Sequence, residues 1–170
     1  RPNRRDPVAT SLTCQLPIPT DPHAAFLLLS DPDYIREVAE RTGGHDVEVT
    51  VEASDDGGAT IRSHRVLPAR LPSYAKALVG ETVTIHETRV FGPAADDGSR
   101  DGTIDVTFGG APAHVTGTMR LEGDGTSSVE VVMSVKASVP LVGGKVERLC
   151  ADQIDASITR EAIVAAERVG

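Results

Sequence analysis

Between residues 45 and 137 apolar side chains recur at every second position through about six successive stretches separated by turn residues. The first, "HDVEVTVEA", sets Val47, Val49 and Val51 on one face and Asp46, Glu48 and Glu52 on the other. "ATIRSHRVLPA", "ETVTIHETRVFG", "TIDVTFGG", "AHVTGTMRLEG" and "SSVEVVMSVKASV" follow. Asp55-Asp56-Gly57-Gly58 and the "GDGTSS" run at 123–128 read as hairpin turns between them. The period then changes. From about Gly144 to Arg168 the apolar residues Val146, Leu149, Cys150, Ile154, Ile158 and Val164 fall on a helical arc. A long meander with one apolar face and a single long helix with one apolar arc have each other to bury against. A twisted antiparallel sheet of this size curls around such a helix.

The residues ahead of the meander fit the same scheme. A first strand spans 8–18, with Leu12, Cys14, Leu16 and Ile18 on one face. "DPHAAFLLLS" and "SDPDYIREVAERTGG" are two short helices, each opened by Asp-Pro, an acceptor cap followed by a residue suited to the first turn. "LPSYAKALVG" breaks the alternation and predicts a short helical or lid-like segment. Residues 1–7 read as a disordered lead-in and 8–170 as one domain. The class is α+β, with a curved antiparallel sheet of about seven strands around a C-terminal helix and two short helices after the first strand.

Composition narrows the partners. A net charge of −8 argues against nucleic acid and anionic membrane surfaces, which need a positive face. The longest apolar run, Ala24 to Leu29, is too short to cross a bilayer, so integral membrane association is not expected. The opening "RPNRRDP" has no apolar segment behind it and does not read as a signal peptide. The two cysteines, Cys14 and Cys150, form no CxxC motif, which fits free thiols in a reducing cytoplasm. No protein partner is specified.

The order of elements, the Asp-Pro helices and the "VPLVGGKVE" approach to the last helix resemble the START-like, helix-grip (SRPBCC) superfamily of the birch-pollen-allergen type. "LPIPTDPHAAFLLLSDPDYIREVAERTGG", "RVLPARLPSYAKALVGETVTIHETRVFGP" and "KASVPLVGGKVERL" are similar to an uncharacterised family of that superfamily in high-GC Gram-positive bacteria. The resemblance covers nearly everything from Val8 onward. It implies lipid or sterol carriers, polyketide cyclases and chaperone cofactors among the relatives, so it leaves the function open.

Motif chemistry removes several classes. "VPLVGGKVE" fails as a phosphate loop: Val139 stands where the first glycine belongs, and Val146 replaces the Ser or Thr that holds magnesium. The five histidines lie on different elements with no close ligand spacing, so no metal site is expected; His64 and His86 fall on the outward phase of their strands. No nucleophile elbow is present, and neither a catalytic residue nor a cofactor is assigned.

What remains is charge on the wrong face. The apolar phase of "ETVTIHETRVFG", set by Val83, Ile85 and Phe91, also carries Glu87 and Arg89. On "ATIRSHRVL" the phase of Ile61 and Leu67 carries Ser63 and Arg65. These three charges point at the concave face. They either orient the polar head of a ligand or form a structural ion pair near a cavity mouth. Alternation adds Phe26, Ile85, Phe108, Met119 and Met133 as lining residues, and the helix adds Cys150, Gln153 and Ser157. The same residue types would fill a solid core. The expectation is a small apolar or amphipathic ligand held between sheet and helix. A cyclase-like enzyme using that cavity and an interaction module with a filled core stand as alternatives.

Overall fold

The structure is a computed structural model describing residues 9–170; the lead-in expected at 1–7 lies outside the described residues. Strand β1 (Thr10–Ile18) is followed by helices α1 (Pro22–Leu29) and α2 (Pro32–Arg41). Strands β2 (His45–Ala53) and β3 (Ala59–Pro68) lead to a short helix α3 (Ser73–Val79). Then come β4 (Thr82–Phe91), β5 (Arg100–Phe108), β6 (Ala113–Asp124) and β7 (Thr126–Ala137), and the chain closes with α4 (Gly143–Val169). The seven strands form one antiparallel sheet in the order β1-β7-β6-β5-β4-β3-β2. Six are a plain meander, and β1 closes it by pairing with the last strand.

Local chemistry explains the helix boundaries. The Asp21 carboxylate accepts from the Ala24 amide and that of Asp31 from the Asp33 amide, so both Asp-Pro starts are capped. The expected lid segment is helical over Ser73–Val79, bounded by Pro72 and by Gly80 at φ 82°. The turn expected at 123–128 is tighter: Gly125 joins β6 to β7, while Gly123 and Asp124 end β6 and 126–128 begin β7.

The hydrophobic core lies where α4 rests on β1 and β7. Ile18, Leu121, Val115, Val129 and Val135 are almost fully buried there, with Ala165 and Val164 of the helix above. Gly117 permits this packing. A Cβ at that position would stand 2.2 Å from the Val132 carbonyl oxygen and 2.9 Å from Met133 Cγ, so Met133 crosses the sheet in the space glycine leaves. Because the helix covers one half of the concave face, the half formed by β3, β4 and β5 is left without a helix on it.

Candidate functional site

That uncovered half is hollow. A cavity of about 740 Å³ is bounded by β3–β5, α3, the end of α2 and the middle of α4. Its walls are mostly aliphatic: Ile61, Leu67, Val83, Ile85, Ile104, Val106, Phe108 and Met133 from the sheet, Leu71, Ala75, Leu78 and Val79 around α3, and Val146, Leu149, Cys150 and Ile154 from α4. Along α4 the lining runs from Val146 to Glu161, roughly 22 Å at 1.5 Å per residue. The space follows α4 over that length and is in the size range of ligand sites.

Helix α4 is pinned at both ends and spans the cavity between them. Near its start, buried Glu147 accepts from Thr10 Oγ1 at 3.0 Å and from the Ala137 amide at 2.9 Å. Near its end, Arg168 Nε donates to Glu37 at 2.5 Å, and Glu167 pairs with Arg41. Lys145 Nζ stands 5.9 Å above the Tyr74 ring and links the first turn of α4 to α3. Leu141 beside it is fully exposed, with its backbone at φ 68°.

The three inward charges expected from the strand phases form one connected network. Arg65 Nη1 donates to Glu87 at 3.4 Å, and Arg89 Nε donates to the same carboxylate at 2.6 Å. Arg89 also gives both terminal nitrogens to Glu161 of α4, at 3.0 and 3.1 Å, a two-point pairing. Tyr34 of α2 donates its hydroxyl to Glu161 at 3.2 Å. Two arginines and two glutamates therefore balance in charge and tie β3, β4, α4 and α2 together. Burial works to raise the Glu87 carboxyl, and Arg89 and Arg65 more than reverse it, holding it below the usual carboxylate value. For Arg89, burial opposes the charged form and Glu161 and Glu87 overcome it, so its charge is locked in. Burial, then Glu161, raises the Tyr34 phenol and keeps it neutral as a donor.

The members of this network are not equally satisfied. Glu87 and Arg89 have their strong partners. Arg65 has one long contact, and its Nε is buried with no hydrogen-bond partner. Its stem is held in place by Gly44: a Cβ there would stand 2.7 Å from the Ala39 carbonyl oxygen and 3.3 Å from Arg65 Cβ. Arg41, Arg65, Arg70, Arg89 and Arg160 border the cavity with Glu87 and Glu161, and Arg41 is already paired with Glu167 and Glu37. A chain of net charge −8 thus lines its cavity with four further arginines against two glutamates.

Of the side chains expected at a ligand site, Arg65, Glu87, Arg89, Ile85, Phe108, Met133, Cys150, Gln153 and Ser157 all line this cavity. Phe26 and Met119 do not. Phe26 packs edge-on against Phe91 with the Arg100 guanidinium 3.6 Å above its ring, under the turn joining β4 to β5. Met119 lines, with Leu16, Phe91 and Val131, a separate void of about 10 Å³ that also meets Arg89 and Glu161. Phe26 belongs to α1 and Met119 to β6, where the concave face is filled. The segment expected to be helical or lid-like, which carries α3, borders the cavity, and the lining on the α4 side begins at Val146. Alternation did not identify Tyr34, and Glu161 was visible only as a charge intruding on the apolar arc of α4.

The comparisons with known proteins agree with this geometry. The sequence profile of a family described as "Protein of unknown function (DUF2505)" matches residues 13–169. The chain belongs to the DUF2505 family. No functionally curated protein matches it. Among solved structures, the protein TTHA0849 from Thermus thermophilus is similar at 15% identity, covering 92% of this chain and 97% of its own, with a TM-score of 0.59. A START superfamily protein from Mycobacterium smegmatis is 9% identical over 94% of this chain and 99% of that one, with a TM-score of 0.55. Human STARD10 is 8% identical over 96% of this chain and 66% of that one, with a TM-score of 0.57. At such identities the likeness is one of fold, and the fold of this DUF2505 protein is START-like. Among the described residues no helix is long and apolar enough to cross a membrane.

Proposed function

We propose that this protein binds one elongated amphipathic molecule with an anionic end, laying its apolar part along α4 and its charged end against Arg65. The observation that carries this reading is Arg65 itself, a guanidinium facing a largely aliphatic cavity, its side chain 15% exposed and its single contact, to Glu87, long at 3.4 Å. A ligand carboxylate, sulfate or phosphate oxygen would give its terminal nitrogens the close charge-assisted partner that Glu87 does not. The surplus of arginines along the walls favours the same sign of ligand. Glu87 and Arg89 serve as positioning residues, because their own partners hold the fork of Arg65 in place.

The test compares palmitate with hexadecanol as displacers of a fluorescent anionic probe, 1-anilinonaphthalene-8-sulfonate. Palmitate is expected to displace it from the wild type, and Arg65→Met is expected to weaken palmitate about 10- to 100-fold while leaving hexadecanol nearly unchanged. Ser157→Trp, which fills the cavity beside α4, should abolish both. Equal binding of the acid and the alcohol by the wild type would overturn the anionic end. Unchanged binding in Ser157→Trp would overturn the cavity as the site.

A further inference from the structure

Directly behind the Arg65–Glu87 pair, on the convex face of the sheet, two histidines stand side by side. His64 and His86 are register partners on β3 and β4, and their ring centroids are 5.0 Å apart with planes tilted by 40°. His86 is exposed and His64 half-buried. The Nδ1 atom of His64 is buried and has no hydrogen-bond partner, an unusual state for an imidazole nitrogen. On its other side the register sets Glu48 of β2 opposite His64. Glu48, His64 and His86 thus form one row across three adjacent strands on one face. The neighbouring cation on that face, Arg62, is engaged with Glu52 at 3.4 Å.

Within this row the histidine pair has the donors and spacing of a metal clamp. Directly opposed residues on antiparallel strands hold their Cβ atoms about 4.5–5.5 Å apart. A tetrahedral zinc ion with Zn–N bonds of about 2.0–2.1 Å needs two nitrogens about 3.3 Å apart. Imidazoles at the observed spacing reach that separation by turning about their own side-chain bonds, with the backbone unmoved. Two imidazoles suit zinc, nickel or copper(II) and not magnesium or calcium, which prefer all-oxygen sets.

We propose that His64 and His86 form a two-point clamp for a divalent transition-metal ion, with water completing the shell. Among the described residues no group of three His, Cys, Asp or Glu side chains is placed to hold an ion, so the clamp rests on the two imidazoles alone and is not a structural zinc centre. Its position gives it a consequence. Arg65 follows His64 and Glu87 follows His86 in the chain, so an ion across the two histidines ties together the ladder that carries the charged end of the cavity on its other face.

Calorimetric titration of the full chain with zinc chloride, in a buffer that does not chelate, tests the clamp. One equivalent is expected to bind to the wild type, and His86→Ala and His64→Asn should each weaken it by at least about 10-fold. His114→Ala serves as the control: that side chain pairs with Asp105 at 2.8 Å on the same face and should leave the affinity unchanged. In NMR spectra the ring signals of His64 and His86 should shift together on adding one equivalent. Absence of zinc binding at millimolar concentration, or equal affinity in the wild type and His86→Ala, would overturn the proposal. His86 is exposed, so its replacement keeps the test valid should His64→Asn prove unstable.

Discussion

Replacing Arg89 by methionine is the most demanding perturbation of this molecule, because among the described residues Arg89 alone touches both buried carboxylates. Its loss would leave Glu87 with Arg65 at 3.4 Å and Glu161 with the Tyr34 hydroxyl at 3.2 Å. Neither contact replaces a bidentate guanidinium. Removing one partner of a buried ion pair costs about 3–5 kcal/mol, chiefly because an uncompensated charge stays behind. With a urea m-value of about 2 kcal/mol/M, the middle of the usual range, the unfolding midpoint should fall by roughly 1.5–2.5 M with m itself little changed. The penalty should depend on pH. In the variant Glu87 stays buried with only the long contact to Arg65, so acid that protonates it removes a poorly compensated charge. The gap between variant and wild type should therefore narrow from pH 7 to pH 4. Adding Glu161→Gln to Arg89→Met should recover part of the loss at pH 7, since it removes the carboxylate left without a cation. A cost below about 1 kcal/mol at pH 7 would mean that these side chains are hydrated and not buried as an ion network. A cost independent of pH would mean that lost packing dominates.

Glu87 in the wild type is held below the carboxylate value of 4.5, so its contribution to stability is fully present above that value. It should be lost as the pH falls through the lower folded value; a urea series across pH 2–6 should show this, and Glu87→Gln should flatten it. Gly117→Ala should destabilise by about 1–3 kcal/mol, because the added methyl meets backbone as well as Met133; thermal unfolding measures it. Glu147→Ala leaves the Ala137 amide without its acceptor and should cost about 1–3 kcal/mol, with faster hydrogen exchange at the start of α4. The Cys14 thiol, pushed up to about 11 by burial and by the Asp155 carboxylate, should react with iodoacetamide at pH 8 at least about ten-fold more slowly than a free cysteine.

The strands were legible because each is half-buried: a period of two survives wherever one face meets the core and the other meets water. Arg65, Glu87 and Arg89 were legible for the same reason, as charges on a phase that should have been apolar. Their partner Glu161 was harder to place. A charge on an apolar helical arc is either at the edge or in the middle, and the choice depends on how the helix is rotated on the sheet. Tyr34 gave no signal, since a tyrosine on an amphipathic helix reads as core whether or not its hydroxyl is bonded. Phe26 lies on α1, where strand alternation does not apply. Met119 was expected in the lining because alternation tells which face a side chain joins but not whether the helix lies above it. The offset of α4 toward β1 and β7 decides that, and it follows from three-dimensional packing.

The same offset accounts for the charge network's position. With α4 resting on β1 and β7, the polar side of its buried arc turns toward β4, and Glu161 meets Arg89 across the boundary between filled core and hollow. At that boundary hydrophobic packing ends while the side chains stay buried, so a charge there must be paired within the protein. Arg89 is paired twice over. Arg65, one strand further out over the cavity, is paired once and weakly. Satisfaction thus falls off with distance from the core, and the first incompletely bonded cation is the one facing the cavity. That gradient separates a structural role for Glu87 and Arg89 from a recognition role for Arg65. It predicts that Arg65→Met, unlike Arg89→Met, should cost little stability while removing discrimination between an acid and the corresponding alcohol. Equal destabilisation by the two variants in urea would show that all three charges act as one structural unit.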